Sequence, residues 1–450
     1  MVYFNGGEYM QRLFYKELEN WYKNSRRYPM LVVGARQVGK TYIITKFCKD
    51  YFKNVISINL MKDKDLINIF KEDYSFENKV ALFETVLGQK ISGEDTVLFV
   101  DEVQESEDFI ESLKFFNESD ETYNIICAGS LLGVTLGRFT KSFPVGKVIK
   151  KEMFPLNFEE FLMATNNERY IPLIKKSYET NEKLPYIIHE TLLNLFHIYL
   201  FLGGMPEVIQ DYINNNGDLV KTNKDIIEKI VNSYINDMGK YVSTSKESLR
   251  IKAIYSDIPS QLAKENQKFI FANLETKDSR KRDYITAIDW LINSKLVLKC
   301  NMLTTPLFPI NGYVDKDSYK LYLNDPGIMN YFLKVPSSAF LLDMDYSYKG
   351  VVTENYVASE LSKNNNKLFY WSRKGKNKGN AEIDFILQQD IDVIPIEVKS
   401  SNNVQAKSLN VYVETFKPKY AIRISSKNFG FENNIKSIPL YAVFCIKSDV

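Results

Sequence analysis

Apolar positions change their period several times along the chain, and each change marks an element. Met10, Leu13, Phe14, Leu18 and Trp21 recur at helical spacing, so a helix opens the chain before the short apolar run Met30-Leu31-Val32-Val33. Ile43, Ile44, Phe47, Cys48 and Tyr51 then restore a helical pattern. A second strand is expected over residues 55–60, helices over 63–71 and 77–89, a third strand from Thr96, a helix near 106–116 and a strand over 124–128. Alternation of strand and helix calls for a parallel sheet covered on both faces. The phrase FPLNFEEFL, from Phe154 to Leu162, closes this part: Asn157 is placed as an N-cap with Glu160 at the reciprocal position.

Residues 173–260 are almost wholly helical in period, broken at Gly203-Gly204-Met205-Pro206 and at the polar turn Asn214-Asn215-Asn216-Gly217. Shorter helical segments follow, including 284–291, then a strand at 296–299. Short helices before a strand pair suggest a winged helix-turn-helix, with Arg280-Lys281-Arg282 where phosphate contacts would be made. The competing reading of that triplet is a solvated helix start. The last third predicts a helix over 351–363, a strand at 367–371, and, past a basic loop, strands at 381–387 and 393–399.

Composition narrows the class. A chain of 450 residues exceeds one ordinary core, and 45% hydrophobic with 25% charged residues is typical of folded globular protein. A net charge of +2 gives no global attraction to nucleic acid, so any such binding must come from local patches. Cys48, Cys127, Cys300 and Cys445 stand far apart in apolar contexts, which reads as reduced core cysteine and against a zinc site. His189 and His197 lie about 80° apart on one helix, a spacing without metal-binding logic, and with so few histidines a His-centred triad is not expected. The start MVYFNGGEYM has neither a basic n-region nor an apolar h-region, and no apolar run is long enough to cross a bilayer; a cytoplasmic protein with no membrane partner is expected.

The first candidate site is Gly34-Ala35-Arg36-Gln37-Val38-Gly39-Lys40-Thr41, set between a strand and a helix. Glycines allow the backbone to turn its N–H groups toward anionic oxygens, Lys40 can reach the β- and γ-phosphates, and the Thr41 hydroxyl can ligate Mg²⁺. An accidental turn of this spacing is the competing reading. Against it stands Thr96-Val97-Leu98-Phe99-Val100-Asp101-Glu102, a buried-type strand ending in two carboxylates: Asp101 to hold the metal through its water shell, Glu102 to orient and activate the attacking water. This pairing is the Walker A and Walker B pattern, so ATP and Mg²⁺ are the expected cofactors. Ser130, following the strand 124–128, is placed as a γ-phosphate sensor, and Arg138 as a candidate arginine finger, although a finger is often supplied by another subunit.

A second candidate site lies near the other end. Glu354 falls on the helix 351–363, Asp384 on the strand Ala381-Glu382-Ile383-Asp384-Phe385-Ile386-Leu387, and Glu397 and Lys399 on Val393-Ile394-Pro395-Ile396-Glu397-Val398-Lys399. Carboxylates Asp384 and Glu397 on neighbouring strands can hold one or two Mg²⁺ ions, or Mn²⁺. Lys399 can stabilise charge or position water for phosphodiester hydrolysis, and Glu354 can complete the ligand set. Alternating charge on an edge strand is the bland reading of Glu-Val-Lys alone. Lys363, Lys367, Arg373, Lys374, Lys376 and Lys378, with Tyr370 and Trp371 interleaved, supply a basic segment able to track a nucleic-acid backbone or merely to solubilise a hairpin tip.

At GARQVGKT, LFVDEVQ (from Leu98), FPLNFEEFL, YLFLGGMPEVI (from Tyr199), ENYVASEL, EIDFIL and IPIEVKS, the chain resembles the prokaryotic AAA-type ATPases fused to a C-terminal domain of unknown function with a restriction-endonuclease-like end. The resemblance spans nearly the whole length. It implies an α/β protein: a P-loop AAA-type parallel-sheet domain over 1–165, a helical linker with a winged helix over 166–335, and a restriction-endonuclease-like α/β domain over 336–450. The helix-Glu, Asp and Glu-x-Lys order is similar to archaeal Holliday-junction resolvases, with Ile383 where the motif's name has proline. The expectation is an Mg-ATP-hydrolysing ATPase coupled to a nuclease-like domain, acting in DNA processing or genome defence. A nucleotide-dependent switch or scaffold with a catalytically idle nuclease fold is the alternative. DNA, a protein partner and a second copy of the chain are all admitted as partners.

Overall fold

The computed structural model describes residues 10–136, 143–242, 244–264, 269, 281–341, 349–373, 381–400 and 407–447. These divide into two compact units, one of residues 11–154 with 293–295, the other of 155–292 and 296–450 with Met10.

The first unit runs α1 (Phe14–Lys23), β1 (Met30–Val33), α2 (Lys40–Tyr51), β2 (Asn54–Asn59), α3 (Lys64–Lys71), α4 (Phe76–Leu87), β3 (Thr96–Asp101), α5 (Glu107–Glu118), β4 (Asn124–Gly129), α6 (Leu132–Leu136) and β5 (Ile149–Glu152). Its five strands are all parallel, in the order β2-β3-β4-β1-β5. β1 and β4 are buried throughout and β3 in all but its last residue, which requires helices over both faces of the sheet. Phe70, Phe83, Phe109 and Phe116 from α3, α4 and α5 fill one side against Leu31, Leu98, Val100 and Ile125. Ser75 and Ser106 cap α4 and α5 through side-chain bonds to the N–H groups of Asn78 and Phe109. β5 has no apolar alternation in Ile149-Lys150-Lys151-Glu152; it is an edge strand held to β1 in the register Met30↔Ile149 to Val33↔Glu152.

The second unit begins with helices α7 (Phe158–Ala164), α8 (Ile171–Thr180), α9 (Tyr186–Leu202), α10 (Pro206–Asn214), α11 (Lys224–Asp237), α12 (Ser245–Leu262) and α13 (Lys281–Asn293). The hairpin β6 (Val297–Leu303) and β7 (Val314–Leu323) follows, then α14 (Pro326–Leu333), α15 (Ser337–Leu341) and α16 (Lys349–Lys363). The chain ends with β8 (Phe369–Arg373), β9 (Ala381–Gln389), β10 (Asp392–Val398), α17 (Lys407–Phe416), β11 (Ala421–Ser425), β12 (Gly430–Glu432) and β13 (Ile435–Pro439). Its strands form one mixed sheet in the order β12-β13-β11-β10-β9-β8-β6-β7.

The strand pair expected as a wing is part of that sheet: β6 pairs in parallel with β8, Asn301↔Phe369 to Leu303↔Trp371. Burial gives the reason, since Leu303, Phe369 and Trp371 share one apolar cluster and the hairpin covers what would otherwise be an open edge of β8. α13 starts at Lys281, while Arg280 lies outside the described residues. The α7 capping box forms as expected, Asn157 Oδ1 accepting from Glu160 N at 2.8 Å and Glu160 Oε2 from Asn157 N at 3.1 Å. His189 is a core residue bonded to the Tyr441 hydroxyl and the Ser426 carbonyl. All four cysteines are free. No helix among the described residues is long and apolar enough to cross a membrane.

Candidate functional site

Parallel strands deliver their carboxyl ends to one edge of the first unit, and the expected groups collect there. Because β4 lies between β1 and β3, the loop after Val33, the end of β3 at Asp101 and the end of β4 at Gly129 are neighbours, with Val33 level with Gly129. Gly34 has φ +155, and a Cβ there would stand 2.2 Å from the Met153 carbonyl oxygen, so this close passage of loop and chain excludes any side chain. Gln37 (φ 66) and Gly39 (φ 95) complete the turn into α2, whose first residue is Lys40.

Lys40 is buried and donates to the carbonyls of Gly34 (2.9 Å) and Ala35 (2.8 Å), holding its ammonium inside the loop. Burial lowers its pKa to about 8 against the upward pull of Glu102 and Asp101, with Arg36 adding to the lowering. A bound phosphate would restore full protonation. ATP binding at pH 8–9 should therefore take up protons and weaken as pH rises, with calorimetry in buffers of different ionisation enthalpy as the measurement; uptake of no protons, or affinity rising with pH, contradicts the role of Lys40.

The Thr41 hydroxyl donates to Asp101 Oδ2 at 2.9 Å, and Asp101 is held above the usual carboxylate range chiefly by burial. Two hard oxygen groups, one of them a carboxylate made costly by its surroundings, fit Mg²⁺, which would neutralise phosphate charge when bound. Glu102 adopts φ 52 immediately after the strand, with its N–H on Asp101 Oδ1 at 3.0 Å, and Gln104 Nε2 donates to Glu102 Oε2 at 2.6 Å. That bond fixes the orientation of the Glu102 carboxylate. Ser130 is partly buried just past β4, and Arg138 lies outside the described residues.

Two residues of this centre are given no role by the sequence pattern. Gln104 sits within LFVDEVQ without an evident role until Glu102 is seen to lean on it. Arg12, buried, donates from Nη1 to the Val38 carbonyl (2.7 Å) and from Nη2 to the Phe154 carbonyl (2.7 Å), bracing the loop from behind.

In the second unit, Glu354, Asp384, Glu397 and Lys399 share one electrostatic neighbourhood. Asp384 Oδ2 accepts from Val398 N at 2.7 Å; burial raises its pKa, and the Glu354 charge adds to the rise. Lys399 Nζ stands 2.8 Å from Glu397 Oε1; burial pulls it down, but this hydrogen bond and the charges of Glu397, Asp384 and Glu354 leave it above the ordinary lysine value. Glu397 is 3% exposed, and its Oε2 has no hydrogen-bond partner. Glu354, on α16, accepts from Lys320 Nζ (3.0 Å) and from the Tyr322 hydroxyl (2.5 Å), both on β7. Lys320 also pairs with Glu382 at 2.7 Å. The sequence flags Lys320 only as a lysine within the otherwise apolar Tyr319-Lys320-Leu321-Tyr322-Leu323. Among the described residues, no group of three or more His, Cys, Asp or Glu is arranged to hold a metal ion. The fit to a divalent ion is thus limited to the open oxygen of Glu397 and the neighbouring Asp384.

The basic segment differs from its expected form. Lys363 is bound to Glu360 Oε1 (3.0 Å) and the Leu156 carbonyl (3.0 Å), and Tyr370 and Trp371 are core residues, 0% and 3% exposed, unable to stack on bases. Both belong to the buried part of β8. Lys374, Lys376 and Lys378 lie outside the described residues.

An all-parallel sheet with a strand-to-helix phosphate loop and a facing Asp-Glu pair defines the first unit as a P-loop, ATPase-like α/β domain. Residues 26–162 match the AAA domain family AAA_14, residues 193–339 the domain of unknown function DUF8612, and residues 349–443 the domain of unknown function DUF4143. The uncharacterized protein MJ1544 of Methanocaldococcus jannaschii is 25% identical over 397 residues, covering 86% of this chain and 78% of that protein. An uncharacterized protein of Haemophilus influenzae is 25% identical over 160 residues, 34% of this chain and 38% of that protein. Among solved structures, the Walker-type ATPase PABY2304 of Pyrococcus abyssi superposes with TM-score 0.43 at 15% identity, covering 73% of this chain and 96% of that one. The Aeropyrum pernix ORC2 protein, in its ADPNP-ADP complexes, does so with TM-score 0.36 at 13% identity, covering 77% and 95%.

Proposed function

We propose that this chain hydrolyses Mg-ATP at the centre built from Lys40, Thr41, Asp101 and Glu102, and that the cycle controls a nuclease-like C-terminal unit acting on DNA in DNA processing or genome defence. The convergence of those four side chains at the carboxyl ends of β1 and β3 carries the ATPase half. The gathering of Asp384, Glu397 and Lys399 where β9 and β10 run side by side supports the nuclease-like half. Phosphate release from Mg-ATP by the full chain, measured with and without linear and branched DNA, is the test: turnover stimulated by DNA is expected, and no turnover under either condition overturns the reading. Metal-dependent cleavage, where present, should vanish in Asp384→Ala and Lys399→Ala.

A second reading, a nucleotide-dependent switch whose idle nuclease fold binds a protein partner, is favoured by one observation: Lys320 and Tyr322 already occupy Glu354. Salt separates the two. A DNA-acting protein loses affinity for duplex steeply as salt rises, whereas a protein-binding switch retains little affinity at any salt.

A further inference from the structure

Lys320 is 0% exposed, although lysine is among the residues least often buried. It stands on β7 opposite Cys300 of β6, passes over β8 with its Nζ 5.1 Å from the centre of the Tyr370 ring, and reaches Glu382 on β9. Glu354 of α16 meets the same ammonium from outside the sheet. Two carboxylates and an aromatic face therefore surround one tethered positive charge. The Glu354 oxygen that takes Lys320 also takes the Tyr322 hydroxyl, so both lone-pair directions of Oε1 are engaged by strand β7.

We propose that Lys320 is the resident cation of this cluster, removing Glu354 and Glu382 from any metal-ligand set and leaving Asp384 and Glu397 as a two-carboxylate half-site. The position exists because the β6–β7 hairpin joins the sheet beside β8, which brings a strand lysine to carboxylates that lie at least 34 residues further along the chain. A divalent ion bound by Glu354 would have to share its carboxylate with an ammonium that has no exit to solvent, and like charges at such range in a poorly screened interior repel strongly. The half-site keeps one open ligand, the partnerless Glu397 Oε2, beside Asp384. With only two carboxylates it should bind a divalent ion weakly, since ligand charge count sets the affinity of such sites. This rests on reading the cluster as nuclease-like, and it narrows that reading: the fold carries its own counter-ion where a third metal carboxylate would otherwise act.

Mn²⁺ binding, followed by loss of the free-ion paramagnetic resonance signal, tests this in the full chain without nucleotide. Thr41→Ala and Asp101→Asn are present throughout to silence the phosphate-loop centre. In this parent, Glu354→Gln should leave Mn²⁺ affinity unchanged, while Lys320→Met should raise affinity about tenfold or more by freeing a ligand, and the gain should vanish when Glu354→Gln is added. A drop in parent affinity on Glu354→Gln alone overturns the proposal, as does unchanged affinity in folded Lys320→Met. Should Lys320→Met fail to fold, the Glu354→Gln comparison decides by itself. Plasmid nicking by Lys320→Met with Mn²⁺ reports separately on the nuclease-like reading: a variant that gains Mn²⁺ but cuts nothing leaves the tethered cation standing and removes the nuclease.

Discussion

Lys40→Ala is expected to lower ATP turnover by about 100-fold or more, since it removes the charge that would follow the γ-phosphate through its transition state. In the nucleotide-free chain the Lys40 ammonium is supported by two loop carbonyls and disfavoured by burial, so its pKa falls to about 8. A lysine whose cation is made costly by the native state adds nothing to stability at neutral pH, and stability recovers only as pH rises above 8. Alanine should therefore leave the melting temperature of the free chain unchanged or slightly raised while the stabilisation normally conferred by ATP disappears. Glu102→Gln separates binding from chemistry: the Gln104 contact can persist, Mg-ATP should still bind and stabilise, and turnover should stop. Colorimetric phosphate release together with melting curves, with and without Mg-ATP, reads both. Undiminished turnover in the two variants would remove the hydrolytic role from this centre altogether.

The phosphate-loop centre was legible because its groups are local: one strand, one eight-residue loop and one strand end, each with its own pattern. Asp101 and Glu102 needed only a buried strand in front of them. The second cluster was legible along β9 and β10 for the same reason, and incomplete beyond them. Lys320 acts through carboxylates on α16 and β9, and only the pairing of β6 with β8 brings it there. A lysine among tyrosines and leucines announces a buried charge without naming its partners. Arg12 is invisible for a related reason, since it braces the loop through the backbone carbonyls of Val38 and Phe154, and backbone carbonyls leave no mark in a sequence. The place of the β6–β7 pair in the larger sheet is not legible because hairpin strands look the same whether they stand alone or extend a sheet; register with a distant strand is a tertiary fact. α17 and β11–β13 have short, mixed patterns that periodicity alone does not separate from loops.

Three phrases that share no local pattern, FPLNFEEFL, YLFLGGMPEVI and Asn324-Asp325-Pro326-Gly327, meet in the second unit, and their meeting point is where substitution should cost most. Leu156 N donates to the Gly204 carbonyl at 2.7 Å, and the Tyr199 hydroxyl and Lys363 Nζ both donate to the Leu156 carbonyl. A Cβ on Gly204 would stand 2.1 Å from that same carbonyl oxygen, so FPLNFEEFL and YLFLGGMPEVI can approach only through a glycine. Asp325 ties the third phrase in. Its Oδ2 accepts from Gly204 N at 2.6 Å, and its Oδ1 caps α14 through Gly327 N (2.9 Å) and Ile328 N (3.2 Å), all with the side chain fully buried. Asp325→Ala strands three buried N–H groups at once, which should cost about 3–5 kcal/mol and lower the melting temperature of this unit by about 10 °C. Asp325→Asn should cost less, because its amide oxygen can keep the α14 cap while its NH₂ faces the Gly204 N–H unfavourably. Calorimetry of the full chain reads both, and Mg-ATP binding by the first unit serves as the control for a local effect. Equal melting temperatures for wild type and Asp325→Ala would mean that this carboxylate is not the tie between the break before α10 and the start of α14.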